Sequence, residues 1–260
     1  MKTRDKVYAR RISHMPDFEF NNNVADKFDD MIRRSVPFYN QIQDMIASLS
    51  VHFVQNGTSV YDLGCSTGTT MVNLIKKNVS KHVKYIGVDL SMPMLKKCKS
   101  KLTEKKLVHK CELVQADISG EIEIENASLV LLNWTLQFVR PLHRDKLIKK
   151  IYDGLVNNGC LLVVEKVLGQ YSLLNRLYID LYYEYKTKMG YSKLEISQKR
   201  EALENVLIPY RIEENLELLK KNNFDIIDIF FCWYNFAGFI AIKKVNKKER
   251  IADAIGESSA

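Results

Sequence analysis

The chain has 260 residues, 46% hydrophobic and 27% charged, the proportions of a globular protein and not of a disordered or fibrous one. No apolar run approaches the roughly 20 residues that cross a bilayer. The charged start Met1-Lys2-Thr3-Arg4-Asp5-Lys6 leads into no hydrophobic signal core, so a cytoplasmic protein without membrane contact is expected. Five cysteines (Cys65, Cys98, Cys111, Cys160, Cys232) are odd in number and widely spaced, with no Cys-x-x-Cys. That argues for reduced thiols and against a disulfide framework or a zinc site, and no metal is expected.

The net charge of +8 is unevenly placed: between 76 and 110 stand eleven lysines and two acids. Such a patch attracts nucleic acid in a salt-sensitive, sequence-blind way. Yet Lys96, Lys97, Lys99, Lys101, Lys105 and Lys106 surround a narrow stripe of Leu95, Cys98 and Leu102, as on a solvated helix. Arginine is absent and aromatics are sparse there, so no stable nucleic-acid binding is expected.

Along the chain, a polar arm precedes a short helix over 24–34, broken near Pro37, and an amphipathic helix over 39–53. Strands near 58–63, 84–89, 111–115, 128–133 and 159–166 alternate with helices near 68–78, 92–106 and 143–156. Near-continuous apolar strands such as Leu129-Val130-Leu131-Leu132 suit a parallel sheet covered on both faces. Asn157-Asn158-Gly159 reads as a turn that stops a helix and starts the fifth strand. A helical insert over about 170–206 interrupts the alternation. A helix near 212–222 follows, then strands 224–232 and 235–243, whose short connection makes them antiparallel. The expected organisation is one α/β domain over 1–260, with a helical arm (about 1–55), the insert, and a polar, frayed tail (about 244–260). Seven mostly parallel strands with the last one antiparallel resemble the Rossmann-like class I fold of S-adenosylmethionine (SAM) dependent methyltransferases.

Gly64-Cys65-Ser66-Thr67-Gly68 lies between the first strand and its helix, where glycines let the backbone turn and helix amides face the crevice. Twenty-one residues after Gly68, the second strand ends in Asp89, the right reach for a ribose diol. Ser66 replaces the middle glycine of a dinucleotide fingerprint, which argues against NAD, and no phosphate loop is present. Asp62, Gly64 and Gly68 instead resemble the first motif of SAM enzymes. The bland alternative is a tight turn with a capping Asp.

Ligands of open α/β sheets sit outside the carboxyl ends of the strands. Past the first strand come Gly64, Cys65 and Ser66; past the second, Asp89 and Leu90. Past the third come Asp117 and Ile118, suited to an adenine edge, and past the fourth comes Asn133. Asp117 could equally be a loop cap and Asn133 a turn residue. In the insert, Ile196, Leu203 and Leu207 form a helical stripe flanked by Lys199 and Arg200. A cation there either snorkels or faces an internal anion, and spacing does not choose. For a carboxylate, the planar fork of Arg200 is the better partner.

Four segments carry a likeness to a known family: Arg33-Arg34-Ser35-Val36-Pro37-x-Tyr39, Val60-Tyr61-Asp62-Leu63-Gly64-Cys65-Ser66, Leu132-Asn133-x-Thr135-Leu136-Gln137-Phe138, and Gly190-Tyr191-Ser192-x-Leu194-Glu195-Ile196-Ser197-Gln198-Lys199-Arg200. Together they resemble the carboxy-S-adenosyl-L-methionine synthases, over roughly residues 5 to 243. The departures are Trp134, where the family pattern has phenylalanine, and the lysine-rich tail. The resemblance implies conversion of SAM and prephenate to carboxy-S-adenosyl-L-methionine (carboxy-SAM) and phenylpyruvate. Prephenate would lose carbon dioxide and hydroxide; the hydroxide would deprotonate the sulfonium methyl, and the ylide would capture the carbon dioxide. It also implies that the product serves a tRNA carboxymethyltransferase building 5-oxyacetyl-uridine at the wobble position. It assigns ligand contact to Tyr39 and the new carboxylate to Arg200 as the catalytic cation, and it implies a homodimer. Seven of the thirteen tyrosines lie between 171 and 210, a density that also suits a subunit interface. The competing readings are a conventional SAM-dependent methyltransferase acting on a small molecule or tRNA, and a non-catalytic protein that binds SAM and RNA.

Overall fold

The computed structural model describes residues 4–120 and 122–244. Two helices, α1 (Asn22–Ser35) and α2 (Tyr39–Phe53), precede the alternating part. That part runs β1 (Ser59–Leu63), α3 (Thr69–Lys77), β2 (Lys84–Asp89), α4 (Met92–Glu104), β3 (Cys111–Gln115), β4 (Ala127–Asn133), α5 (Pro141–Gly154) and β5 (Leu155–Leu168). The insert folds as α6 (Ser172–Lys188) and α7 (Lys193–Leu203); β6 (Tyr210–Arg211), α8 (Ile212–Lys221), β7 (Ile226–Trp233) and β8 (Phe236–Ile242) follow.

The strand order is β3-β2-β1-β4-β5-β8-β7. β1 to β5 are mutually parallel, and β8 runs antiparallel to both β5 and β7. The expected class I architecture is therefore present, with the two-residue β6 as an addition beside β5. Period-two alternation sorts β4 onto both faces. Leu129 and Leu131 join a core with α2, α3 and α4, whereas Val130 and Leu132 join one with α5 and α8. The order reverses between β1 and β4, which opens a crevice at their carboxyl ends.

Three boundaries differ from expectation. α5 ends at Gly154 and β5 already begins at Leu155, so Asn157-Asn158-Gly159 does not end the helix. It is an irregularity inside the strand, where register shifts between Ala127 and Leu129. Asn158 takes φ 58°, and it and Gly159 pair with the backbone of Lys243 across the sheet. In the insert, α7 stops at Leu203, so Leu207 is not on the helix that carries Ile196. The expected tail lies outside the described residues from 245 onward. No helix among the described residues is long and apolar enough to cross a membrane.

Candidate functional site

A cavity of about 600 Å³ opens at the carboxyl ends of β1 to β4, and all ten residues singled out from the sequence line it: Tyr39, Gly64, Cys65, Ser66, Asp89, Leu90, Asp117, Ile118, Asn133 and Arg200. The loop after β1 is shaped by three left-handed residues, Gly64 (φ 81°), Ser66 (φ 49°) and Gly68 (φ 77°). A Cβ on Gly64 would collide with the Thr135 side chain, so glycine is demanded there twice over. Cys65 is packed against Cys98, whose hydrogen bond, with burial, lifts the Cys65 thiol well above its usual range. These two cysteines, distant in sequence, meet in the core.

Asp89 ends β2 with Oδ2 accepting from Ser66 N (2.8 Å) and Oδ1 from Ser91 N (2.8 Å). Each oxygen keeps a second lone pair for a ligand hydroxyl. Burial raises its pKa against those two bonds. Asp117 is exposed and caps its own loop, accepting from Ser119 N and Oγ at 2.8 and 2.7 Å. Asn133 Nδ2 donates to Thr70 Oγ1 at 3.1 Å, while its buried Oδ1 has no partner. Tyr39 stacks on Trp134 with ring centroids 5.2 Å apart, and burial pushes its hydroxyl up to about 12. Trp134, where the family pattern departs, is itself left-handed (φ 58°) with a buried, unpartnered Nε1.

Asp62 has the most exceptional surroundings. It is 2% exposed, neither carboxylate oxygen has a hydrogen bond, and burial, helped by Asp89, raises it to about 7. An unpaired buried carboxylate is costly unless a ligand cation supplies the missing partner. Behind the loop, Thr67 Oγ1 donates to Asp29 at 2.6 Å and Lys101 Nζ reaches Asp29 at 2.8 Å. Burial alone would raise Asp29; Lys101 and Thr67 outweigh it and hold it low. One lysine of the basic stretch thus braces the glycine loop.

The other wall comes from the arm and the insert. Phe18 N donates to Ala202 O at 2.8 Å, Gln198 Nε2 bonds the carbonyls of Tyr8 and Arg10 at 2.9 Å, and Tyr191 Oη donates to Asp5 at 2.8 Å. Residues 5–20 and α7 are thereby tied into one cover. On that cover Lys199 is the inward cation, 8% exposed, and Arg200 is exposed at the rim between the main cavity and a shallower one beside α6. Lys166 and Lys186 also line the cavity, and neither was singled out from the sequence. Glu165, buried and raised to about 8 by desolvation, accepts from Leu136 N (3.0 Å) and Gln137 N (2.7 Å) and so fixes the loop after β4. A charged pair inside the apolar run Val163-Val164-Glu165-Lys166-Val167 is a signal that could have drawn attention to both residues. The tyrosine density serves this chain's own packing more than expected: Tyr182 and Tyr191 are buried, Tyr178 stacks on Tyr234, and Tyr210 sits under Arg144. Among the described residues, no group of three or more His, Cys, Asp or Glu side chains could hold a metal ion.

A family model described as a methyltransferase domain matches residues 60–159, from β1 into β5. The carboxy-S-adenosyl-L-methionine synthase of Methylococcus capsulatus is 50% identical over 241 residues, spanning 93% of this chain and 100% of that protein. That of Nautilia profundicola is 45% identical over 239 residues, spanning 92% and 99%. The chain belongs to the carboxy-S-adenosyl-L-methionine synthase family. As a member of that family it is an enzyme with SAM as a substrate. Among solved structures, an O-methyltransferase family protein from Burkholderia thailandensis superposes with a TM-score of 0.63 at 15% identity, covering 88% of this chain and 62% of that one. The cyclase SpnF superposes with a TM-score of 0.57 at 15% identity, covering 80% and 81%. Such distant likeness shows the fold alone, and a fold of this kind hosts more than one chemistry. For a carboxy-S-adenosyl-L-methionine synthase the orphaned acceptor on the cavity wall fits SAM. Asn133 Oδ1 lacks a donor, which an amino-acid end with its ammonium would supply, while Asp62 is buried outside the cavity lining.

Proposed function

We propose that this enzyme converts SAM and prephenate to carboxy-SAM and phenylpyruvate. On this reading the Gly64-Cys65-Ser66 loop and Asn133 hold the methionine end, with Tyr39 beside it. Asp89 holds the ribose, and Leu90, Asp117 and Ile118 hold the adenine. The observation that carries the reading is that one cavity joins these acidic strand ends to a cationic wall under the insert. A conventional methyltransferase site needs the first part, and needs the second only where its substrate is an anion.

The chemistry balances without a protein base. The ring carboxylate of prephenate leaves as carbon dioxide, its bonding pair aromatises the ring, and the ring hydroxyl departs as hydroxide. Hydroxide takes a proton from the sulfonium methyl to give water, and the resulting carbanion bonds to carbon dioxide. The substrates together carry one negative charge, and so do the products. Bulk water would quench the carbanion, so the tie between residues 5–20 and α7 supports the reading by walling one side of the cavity. Arg200 at the rim takes the new carboxylate. The product then supplies a tRNA carboxymethyltransferase that completes 5-oxyacetyl-uridine at the wobble position.

The same proposal includes a homodimer. What supports it is an exposed apolar strip on α6, with Leu173 81% and Leu177 49% exposed, one turn apart. Leu173→Glu is expected to shift the protein to monomer in sedimentation, and an unchanged mass would count against this surface. The reaction is tested by mass spectrometry of the ligand released from purified protein, before and after adding prephenate. A ligand heavier than SAM by one carboxylate is expected. Finding SAM alone, unconverted with prephenate present, would contradict the proposal.

A further inference from the structure

Lys166 on β5, Lys186 on α6 and Lys199 on α7 converge on one wall of the cavity. Lys186 and Lys199 are 5% and 8% exposed. The ammonium groups of Lys166 and Lys186 stand 5.4 and 5.0 Å from the centre of the Tyr182 ring, and Lys199 Nζ donates to Ser35 Oγ at 3.1 Å. None of the three forms an ion pair among the described residues. The carboxylate that acts on Lys186 and Lys199 is Asp5, from the arm. It is already engaged by Tyr191 Oη, and Arg34 sits on its backbone carbonyl at 3.3 Å. Burial lowers Lys199 to about 8, with Asp5 opposing and Arg34 adding. Burial also lowers Lys186 well below the lysine range, reinforced by Lys199 and Lys166 and opposed by Asp5, and it lowers Lys166. One carboxylate thus faces several cations, in a place where an unpaired charge is costly.

We infer that Lys166, Lys186 and Lys199 form the subsite for the 2-oxo-carboxylate end of the second substrate, the end that leaves with phenylpyruvate. The inference rests on the reaction proposed above and assigns its two carboxylates to different cations. A carboxylate about to leave as neutral carbon dioxide is hindered by tight ion pairing, because the pairing stabilises the ground state and is lost in the transition state. A cluster of buried ammonium groups is therefore misplaced on the ring carboxylate. The 2-oxo-carboxylate stays anionic from substrate to product, so the cluster can hold it throughout the reaction. Arg200, a separate cation at the rim, is free to meet the carboxylate of the carboxylated product.

Phenylpyruvate is the probe, titrated by calorimetry into the SAM-saturated protein. Lys186→Met and Lys199→Met keep side-chain volume while removing charge, an exchange that buried sites tolerate. Each is expected to weaken phenylpyruvate binding at least tenfold, and the double variant at least a hundredfold. SAM affinity should change less than threefold in these variants, and Arg200→Ala should change phenylpyruvate binding less than threefold. Wild-type binding should also take up protons, seen as a buffer-dependent heat that the double variant loses, because an anion restores the ammonium form. Undiminished binding by the double variant, or no binding by the wild type, overturns the assignment. If phenylpyruvate binds through the lysines but prephenate is not converted, the subsite stands and the proposed reaction falls.

Discussion

At the carboxyl ends of β1 and β2 the cavity is lined by the carboxylate of Asp89, with Asp62 buried close to it, whereas under the insert it is lined by Lys166, Lys186, Lys199 and Arg200. Both regions hold charges with too few protein partners, but of opposite sign. The acidic side suits a ligand with an ammonium and a sulfonium, and the basic side suits a dianion. A cavity polarised in this way suits the proposed pair of oppositely charged substrates. The contrast teaches that the common fold supplies the nucleoside half, and that the arm and insert supply whatever distinguishes the chemistry.

The largest expected effect breaks the acidic half. Gly64→Ala places a Cβ in the left-handed region and into Thr135. It should destabilise the protein by about 2–4 kcal/mol and weaken SAM binding by more than a hundredfold, read by thermal melting and calorimetry. Arg200→Ala should spare SAM within threefold yet weaken carboxy-SAM by roughly 10- to 100-fold, the worth of a charge-assisted bidentate contact. Competition between the two ligands reads this directly, and an unchanged preference would remove Arg200 from its role.

Two smaller effects sharpen the contrast through pH in the ligand-free protein. The folded pKa of Lys199, about 8, lies below its ordinary value of 10.5. Its buried charge therefore opposes folding fully below pH 8, and the penalty fades as pH rises toward 10.5. Lys199→Met should be more stable than wild type by about 2 kcal/mol at pH 7, with the gap closing through that window. Asp62 is shifted the other way, raised from 3.8 to about 7. Its ionisation costs nothing below pH 4, increasingly more up to pH 7, and a constant amount beyond. Asp62→Asn should accordingly melt higher than wild type at pH 8 but not at pH 4. Equal melting at both pH values would mean that burial does not penalise the Asp62 carboxylate.

The two halves also differ in how far they could be read from sequence. Apolar runs such as 129–132 mark the strands, and parallel topology then puts the residue after each strand at the cavity, so Gly64, Asp89, Asp117 and Asn133 follow from order alone. The start of β5 escaped because a bulge at Asn158 is paid for by pairing with Lys243, some 85 residues later in the chain. Lys186 escaped because α6 carries tyrosines and charges around much of its circumference, and only packing of Tyr182 against Phe236 and Ser35 decides which face turns inward. Lys199 and Arg200 were both visible as candidates. Their neighbouring positions on α7 point in different directions, which sent Lys199 to the interior and Arg200 to the rim.

The most direct test of the account follows the carbon that is said to move. Prephenate labelled with carbon-13 in its ring carboxylate is incubated with SAM and the enzyme, and the SAM-derived product is weighed by mass spectrometry. The account predicts a product carrying the label, with unlabelled phenylpyruvate formed in equal amount. Label recovered only as carbonate, with SAM unchanged, would contradict it.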